Sequence, residues 1–243
     1  IVLAGLIFAF KEKIFVDITL TPKTFNVPYS NISGITISKN FLWACDWQAQ
    51  SIYKHSIESR RFAAGSLPIL HVFSFPEKRF VSITTLSGYI WTLDGWKKKI
   101  YKHALDEKLS IISEYTLPYS SNPVSIASFG NYLLLCDNAT NKLYIHKSDE
   151  SLSVIKEYNL PGKNITEIFS DSSFLWAVDS EENKIYQCKI EDFELKVESV
   201  FLLPEYEKFK ITAVSGDKNY LYFASEKLSK ILRYPKKFLE PIE

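Results

Sequence analysis

The side chains best equipped for chemistry in this chain recur at fixed places. Asp46, Asp94, Asp137 and Asp179 each close an aromatic-aliphatic run, and Ser225 takes the fifth such place. Three of the aspartates are followed at one spacing by His55, His103 and His146. Carboxylates and imidazoles are the usual acids, bases and metal ligands of proteins. Metal ligands, however, must meet within about 2 Å of one ion. Residues at equivalent places in successive copies of a unit are distributed, not gathered, so both sets read as structural. His71 stands alone. Cys45 and Cys136 share one place in copies that are not neighbours, too far apart for a disulfide, and Cys188 lies on another strand. All three read as small core residues. No CxxC, zinc spacing, catalytic triad or phosphate loop is present, so no metal, no cofactor and no catalytic residue is expected.

The elements that hold these residues are copies of one unit. FLWACDWQAQSIYKH, YIWTLDGWKKKIYKH, YLLLCDNATNKLYIH, FLWAVDSEENKIYQC and YLYFASEKLSKILRY begin at Phe41, Tyr89, Tyr132, Phe174 and Tyr220, fifteen residues each without a gap. A β-branched run precedes each copy, such as GITIS at Gly34 or PVSIASF at Pro123, and the first four are followed by a run closing on proline at Pro76, Pro118, Pro161 or Pro204. Short runs rich in Val, Ile, Tyr and Trp, punctuated by Asn, Gly, Ser and Pro, are strands. Four strands a, b, c and d repeating about every 45 residues are a propeller blade. The reading is all-β, a five-bladed β-propeller of four-stranded antiparallel blades.

The fifth copy lacks a d strand, and IFVDITLTP, Ile14–Pro22, has the d form. Pairing it beside Lys230–Tyr234 closes the ring with the N-terminal strand and removes an open edge. Residues 13–243 therefore read as one propeller domain. Residues 1–12, which begin IVLAGLIFAF, read either as a remnant of a signal or anchor or as an extra strand.

The b and c segments FLWACDWQAQSIYKH and FLWAVDSEENKIYQC resemble NHL repeats and the YWTD repeats of lipoprotein-receptor propellers. The resemblance covers about residues 34 to 235. Those families commonly have six blades and glycine-rich signatures that are absent here. The resemblance implies a scaffold for protein, peptide or glycan binding, with a minority of enzymes such as lactonases and lyases. It also implies that the repeated aspartates bond neighbouring backbone.

Charge narrows the partners. With 29 basic and 28 acidic residues the net charge is +1, which sets aside a general nucleic-acid or anionic-membrane binder. Membrane contact is left to residues 1–10, if these are an anchor. Sequons at Asn31, Asn138 and Asn164 are compatible with export or display at the cell surface, with a cytoplasmic location as the alternative.

Loops carry function on such folds. The b–c and d–a loops of one face offer Trp47 and Trp96, the run Lys97, Lys98 and Lys99, and the tyrosines Tyr29, Tyr119 and Tyr206. The two tryptophans should stand side by side, with the lysines drawing an acidic or sugar-bearing partner. On the other face the loop from His55 to Pro76 is 21 residues against 15, 15 and 16 in its counterparts, and its tip holds Arg60, Arg61 and Phe62. The main expectation is a non-catalytic scaffold binding a protein, peptide or glycan, in an assembly or at the cell exterior. The alternative is a small-molecule hydrolase or lyase of the lactonase-like type at the axial channel, drawing on Glu167, Asp171 and Asn122. The a strands offer Thr36, Ser82, Thr84, Ser125, Thr166 and Thr212 but only Glu167 as an acid, which favours binding.

Overall fold

Alternation of β-branched and aromatic residues at a period of two lets a strand pack both of its faces against neighbouring sheets. In the computed structural model, which describes residues 21–57, 65–120, 122–171, 173–192, 194–202, 211–226 and 228–242, this pattern yields twenty strands in five antiparallel sheets. Blade one holds β2 (Ile32–Ser38), β3 (Phe41–Asp46), β4 (Ser51–Ser56) and β5 (Ile69–Ser74). Blade two holds β6 (Phe80–Leu86), β7 (Tyr89–Asp94), β8 (Lys99–His103) and β9 (Ile111–Thr116). Blade three holds β10 (Pro123–Phe129), β11 (Tyr132–Asp137), β12 (Lys142–Lys147) and β13 (Val154–Asn159). Blade four holds β14 (Ile165–Ser170), β15 (Leu175–Asp179), β16 (Lys184–Ile190) and β17 (Leu195–Phe201).

Blade five joins the two ends of the ring. β18 (Ile211–Gly216), β19 (Tyr220–Ser225) and β20 (Lys230–Pro235) are completed by β1 (Lys23–Asn26), paired antiparallel with β20 from Lys23 opposite Arg233 to Asn26 opposite Lys230. Closure by an N-terminal strand is therefore present, but the strand differs from the expected Ile14–Pro22. It begins after Pro22, and residues 14–20 lie outside the described residues, as do residues 1–12. What fixes the register is burial of Phe25, followed by Val27, Tyr29 and Ile32, in the slab between blades five and one. KTFN carries a single inward apolar residue, so its strand pattern is faint in sequence. No helix among the described residues is long and apolar enough to cross a membrane.

The core is five slabs between adjacent blades. Trp43, Ile52 and Phe73 of blade one meet Phe80, Ile83 and Tyr101 of blade two, and the other four junctions repeat the arrangement. Every b–c turn ends on a residue in the left-handed region, Gln50, Lys98, Asn141, Asn183 and Ser229, with φ of 52°, 50°, 52°, 54° and 49°. One turn geometry thus places the first residue of each b–c loop at the same height around the axis.

Candidate functional site

The repeated aspartates are anchors for those loops. Asp179 accepts backbone N–H bonds from Lys163 at 2.8 Å, Asn164 at 3.1 Å, Glu181 at 2.9 Å and Glu182 at 3.0 Å. Burial alone would raise its pKa, and these donors outweigh it and hold the carboxyl below its usual value. Asp46 accepts backbone N–H bonds from Asn31, Gln48 and Ala49, Asp94 from Arg79 and Lys97, and Asp137 from Asn122 and Thr140, with the Ser120 hydroxyl as a further donor to Asp137. Each carboxylate ties a d–a loop to a b–c loop.

The histidines are equally occupied. In His55, His103 and His146, Nδ1 faces the carbonyls of Leu67, Leu109 and Leu152 at 3.3, 3.1 and 2.9 Å. A carbonyl only accepts, so Nδ1 carries the proton and Nε2 accepts. Its donors are the Tyr29 hydroxyl at 2.6 Å for His55 and the Tyr119 hydroxyl at 2.9 Å for His146. For His103 the donor is Thr92 at 2.8 Å, which stands where blades one and three have Ala44 and Leu135. Burial pushes the His55 and His103 pKa values down to about 4, against the smaller upward pull of the carbonyls, and lowers that of His146. The Tyr119 hydroxyl is thus engaged by the third blade's c strand, while the residue remains 38% exposed. Cys45, Cys136 and Cys188 are buried thiols whose pKa values burial raises.

With those residues assigned, what remains at the axis is the ring of loops. A cavity of about 500 Å³ opens at the end of the channel where the d–a and b–c loops of all five blades meet. The residue after each anchoring position supplies its wall: Trp47, Gly95, Asn138, Ser180 and Glu226. Gly95 leaves room in blade two, and Trp96 turns toward Trp47, with ring centroids 5.4 Å apart and planes at 32°. Trp96 is 55% exposed. The Trp47 indole N–H donates to Glu226 Oε1 at 2.9 Å, joining blade one to blade five. Opposite lies an arc of amides, in which Asn122 Nδ2 donates to Asn138 Oδ1 at 2.6 Å and Asn138 Nδ2 to Asn164 Oδ1 at 3.2 Å. One half of the mouth is aromatic and the other polar, with Glu226 the charged side chain among the lining residues.

Beneath the mouth lies Glu167, which is 3% exposed. Its Oε1 accepts from the Ser125 hydroxyl, from Ser82 Oγ at 3.5 Å and from the Ile168 N–H at 3.2 Å, while Oε2 is buried without a partner. Burial raises its pKa well above the usual carboxylate value, against those hydrogen bonds. The equivalent places in the other blades are Gly34, Ser82, Ser125 and Ala213, so Glu167 is the one acid of the set.

By fold the chain is similar to enzymes. It matches a glutaminyl cyclase from Myxococcus xanthus with a TM-score of 0.70 and 9% identity, over 91% of this chain and 96% of that one. It also matches a streptogramin B lyase, with a TM-score of 0.53, 24% identity and coverage of 91% and 72%. A catalytically inactive virginiamycin B lyase from Staphylococcus aureus with quinupristin gives 0.52, 19%, 85% and 66%. At these identities the likeness shows the propeller fold, and the NHL or YWTD family is not confirmed. No family model and no curated protein matches the sequence.

Of the residues singled out in sequence, Trp47 and Trp96 stand together as expected. The lysine run does not join them in lining the mouth: Lys99 points outward, its Nζ 2.7 Å from Glu114 on the outer strand, and Lys97 and Lys98 belong to the turn. Arg79 is nearer, its guanidinium 5.6 Å from the Trp96 ring centroid. Arg60, Arg61 and Tyr206 lie outside the described residues. Asn122 lines the mouth, whereas Asp171 sits at the opposite end of the blades, held by Lys236 at 2.6 Å and the Trp176 indole at 2.9 Å. Among the described residues no group of three or more metal-ligating side chains converges. Glu226 opens the fifth b–c loop of this face, immediately after Ser225, and sequence reasoning gave it no role of its own.

Proposed function

We propose that the chain is a small-molecule enzyme of the lyase or cyclase type acting in the mouth of the ring, with Glu226 as its proton carrier. The observation that supports this most is the placing of one carboxylate beside an indole pair at the rim of a cavity of about 500 Å³. Cavities of this size with an apolar wall and a few convergent polar groups are the usual form of ligand sites. The neighbours in fold are enzymes, which favours catalysis over a purely adhesive face.

The chemistry follows from the inventory. Elimination and intramolecular cyclisation each move one proton from the reacting carbon or amine to a leaving group, with no net oxidation. A single carboxylate serves both halves of such a step. It takes the proton as the new double or ring bond forms, and returns it as the leaving group departs with its electron pair. Trp47 holds Glu226 Oε1 by its N–H, so Oε2 is the oxygen left to work. The indole faces bind a flat or apolar portion of the substrate, and the amide arc orients its polar groups.

Tryptophan fluorescence and mass spectrometry test this together. Peptides beginning with glutamine and a type B streptogramin such as quinupristin are the probes. Turnover of one class is expected, with Glu226→Gln keeping the fluorescence response and losing turnover by at least a hundredfold, the lower end of what a positioned acid-base group supplies. Unchanged turnover in Glu226→Gln removes the carboxylate from the mechanism. Binding without turnover returns the mouth to the non-catalytic reading.

A further inference from the structure

The amide side of the mouth has more hydrogen bonds to give than to receive. Asn122 precedes β10, Asn138 follows β11 and Asn164 precedes β14, and all three line the cavity. Their backbones are pinned: the Asn122 N–H donates to Asp137 at 3.0 Å, the Asn138 N–H to the Asn122 carbonyl at 3.2 Å and the Asn164 N–H to Asp179 at 3.1 Å. Three carboxamides hold six N–H bonds, and the contacts of Asn122 with Asn138 and of Asn138 with Asn164 spend two of them. Four are left over, against one amide oxygen, Oδ1 of Asn122, that accepts nothing within the arc. The balance is the same if the chain of amides runs the other way.

Thr166 adds a further donor. Its hydroxyl lines the same cavity and is buried without a partner. It stands at the bulge of its a strand, and at the same bulge in blades one and five the hydroxyls are spent on the next blade. Ser33 donates to the Phe80 carbonyl at 2.6 Å and Thr212 to the Ile32 carbonyl at 2.7 Å. A buried hydroxyl left over in this way points to a ligand atom or a water that completes it. Among the described lining residues no cation stands ready for an anion, and Glu226 supplies the one charge. Arg79, which precedes β6 as Asn122 precedes β10, lies over the Trp96 ring instead.

We propose that this arc is the subsite for the carbonyl oxygens of a neutral acyl compound, an ester or a substituted amide. The proposal rests on the reading of the mouth as a small-molecule site and names the class of molecule it takes. A carboxylate brings a second negative charge to a mouth whose lining holds no cation, and its lost water goes uncompensated. A sugar hydroxyl brings a donor with each acceptor, and the arc has one free amide oxygen to meet it. Ester and tertiary-amide carbonyls bring acceptors alone. With its apolar part against Trp47 and Trp96, such a molecule matches both halves of the mouth.

Tryptophan fluorescence titration of the full chain tests this with three probes that share a phenyl ring: N-acetylphenylalanine methyl ester, N-acetylphenylalanine and phenyl β-glucoside. The ester is expected to bind about tenfold more tightly than either of the others, the worth of one or two neutral hydrogen bonds. Asn138→Leu is expected to bring the ester down to the level of the acid. Asn138→Asp, which keeps the shape and exchanges the N–H donors for a charged oxygen, should do the same. Circular dichroism shows which variants are folded, and either one carries the test if the other is not. An acid or glucoside bound as tightly as the ester overturns the proposal, as does ester binding unchanged in the folded variants, or no binding of the ester at all. The enzyme reading fails on a different result. Ester binding that needs Asn138, with no turnover of glutamine peptides or quinupristin by the wild type, removes catalysis and keeps the arc. Turnover that is lost in Glu226→Gln, with ester binding indifferent to Asn138, removes the arc and keeps the enzyme.

Discussion

Glu167 of the fourth blade reaches past the third to Ser82 of the second, with Ser82 Oγ 3.5 Å from its Oε1. One carboxyl thus touches three of the five inner strands, taking hydrogen bonds from Ser82, Ser125 and the Ile168 backbone. It is buried, and burial keeps its proton on well above the usual carboxylate range.

That protonation makes stability depend on pH. The folded state binds a proton that the unfolded chain releases near the ordinary glutamate value of about 4.3. Stability is therefore unaffected below that value and falls as pH climbs from it toward the raised folded value. Glu167→Gln keeps the shape and removes the titration. Melting curves at pH 5 and pH 8 should show the variant gaining on the wild type as pH rises. Parallel curves at the two pH values would mean that Glu167 titrates normally.

The buried histidines act at the acid end. His55 and His103 have folded pKa values of about 4, below the ordinary value near 6.5. The stability they contribute is complete above about 6.5 and is lost as pH falls through 6.5 toward 4, roughly 3 kcal/mol apiece at full loss. Replacing His55 and His103 together by glutamine should flatten the pH dependence of urea unfolding in that window. A slope identical to the wild type's would refute the assignment.

Asp179 serves four backbone donors, so Asp179→Ala should cost about 2 to 3 kcal/mol by leaving buried N–H groups unpaired. Asp179→Ser imitates the fifth blade, where Ser225 stands, and should fall between the two. Chemical denaturation measures both. A neutral alanine variant would show that the loops hold themselves.

At Gly34 a Cβ would come within 2.7 Å of the Ser82 Cα, a backbone atom that has no rotamer to change. Gly34→Ala should therefore destabilise by about 1 to 3 kcal/mol through overpacking of the inner ring. Thermal unfolding reads the effect. An unchanged midpoint would mean that blades one and two separate easily.

The fold was legible because its signal repeats. An aspartate, a turn and an aliphatic six residues later recur in four copies, and the matching strands form where they were expected. The strand beside β20 was placed too early because KTFN has one inward apolar residue, Phe25, while the run before Pro22 has the composition of the d strands. The pairing of Trp47 with Trp96 was legible from loop register alone. Glu167 stood out in sequence as the one acid of the a strands, whereas Glu226, a single carboxylate in a short loop, gains its place at the cavity wall only from the closed ring. Of the lysine run beside the tryptophans, Lys99 opens a strand and its side chain runs outward to Glu114, a direction that loop register alone does not give.

The pairing of β1 with β20 has a consequence for synthesis. Lys23 leaves the ribosome about 200 residues before its partner Arg233 exists. At roughly 5 to 20 residues per second, β1 waits on the order of ten seconds or more while blades one to four are made. Throughout that interval Phe25 has no slab to enter, and the ring is an open arc with its first blade uncovered. The propeller is thus closed when β20 meets β1, and the emergence of β20, not the making of any of the first four blades, is the event that seals it.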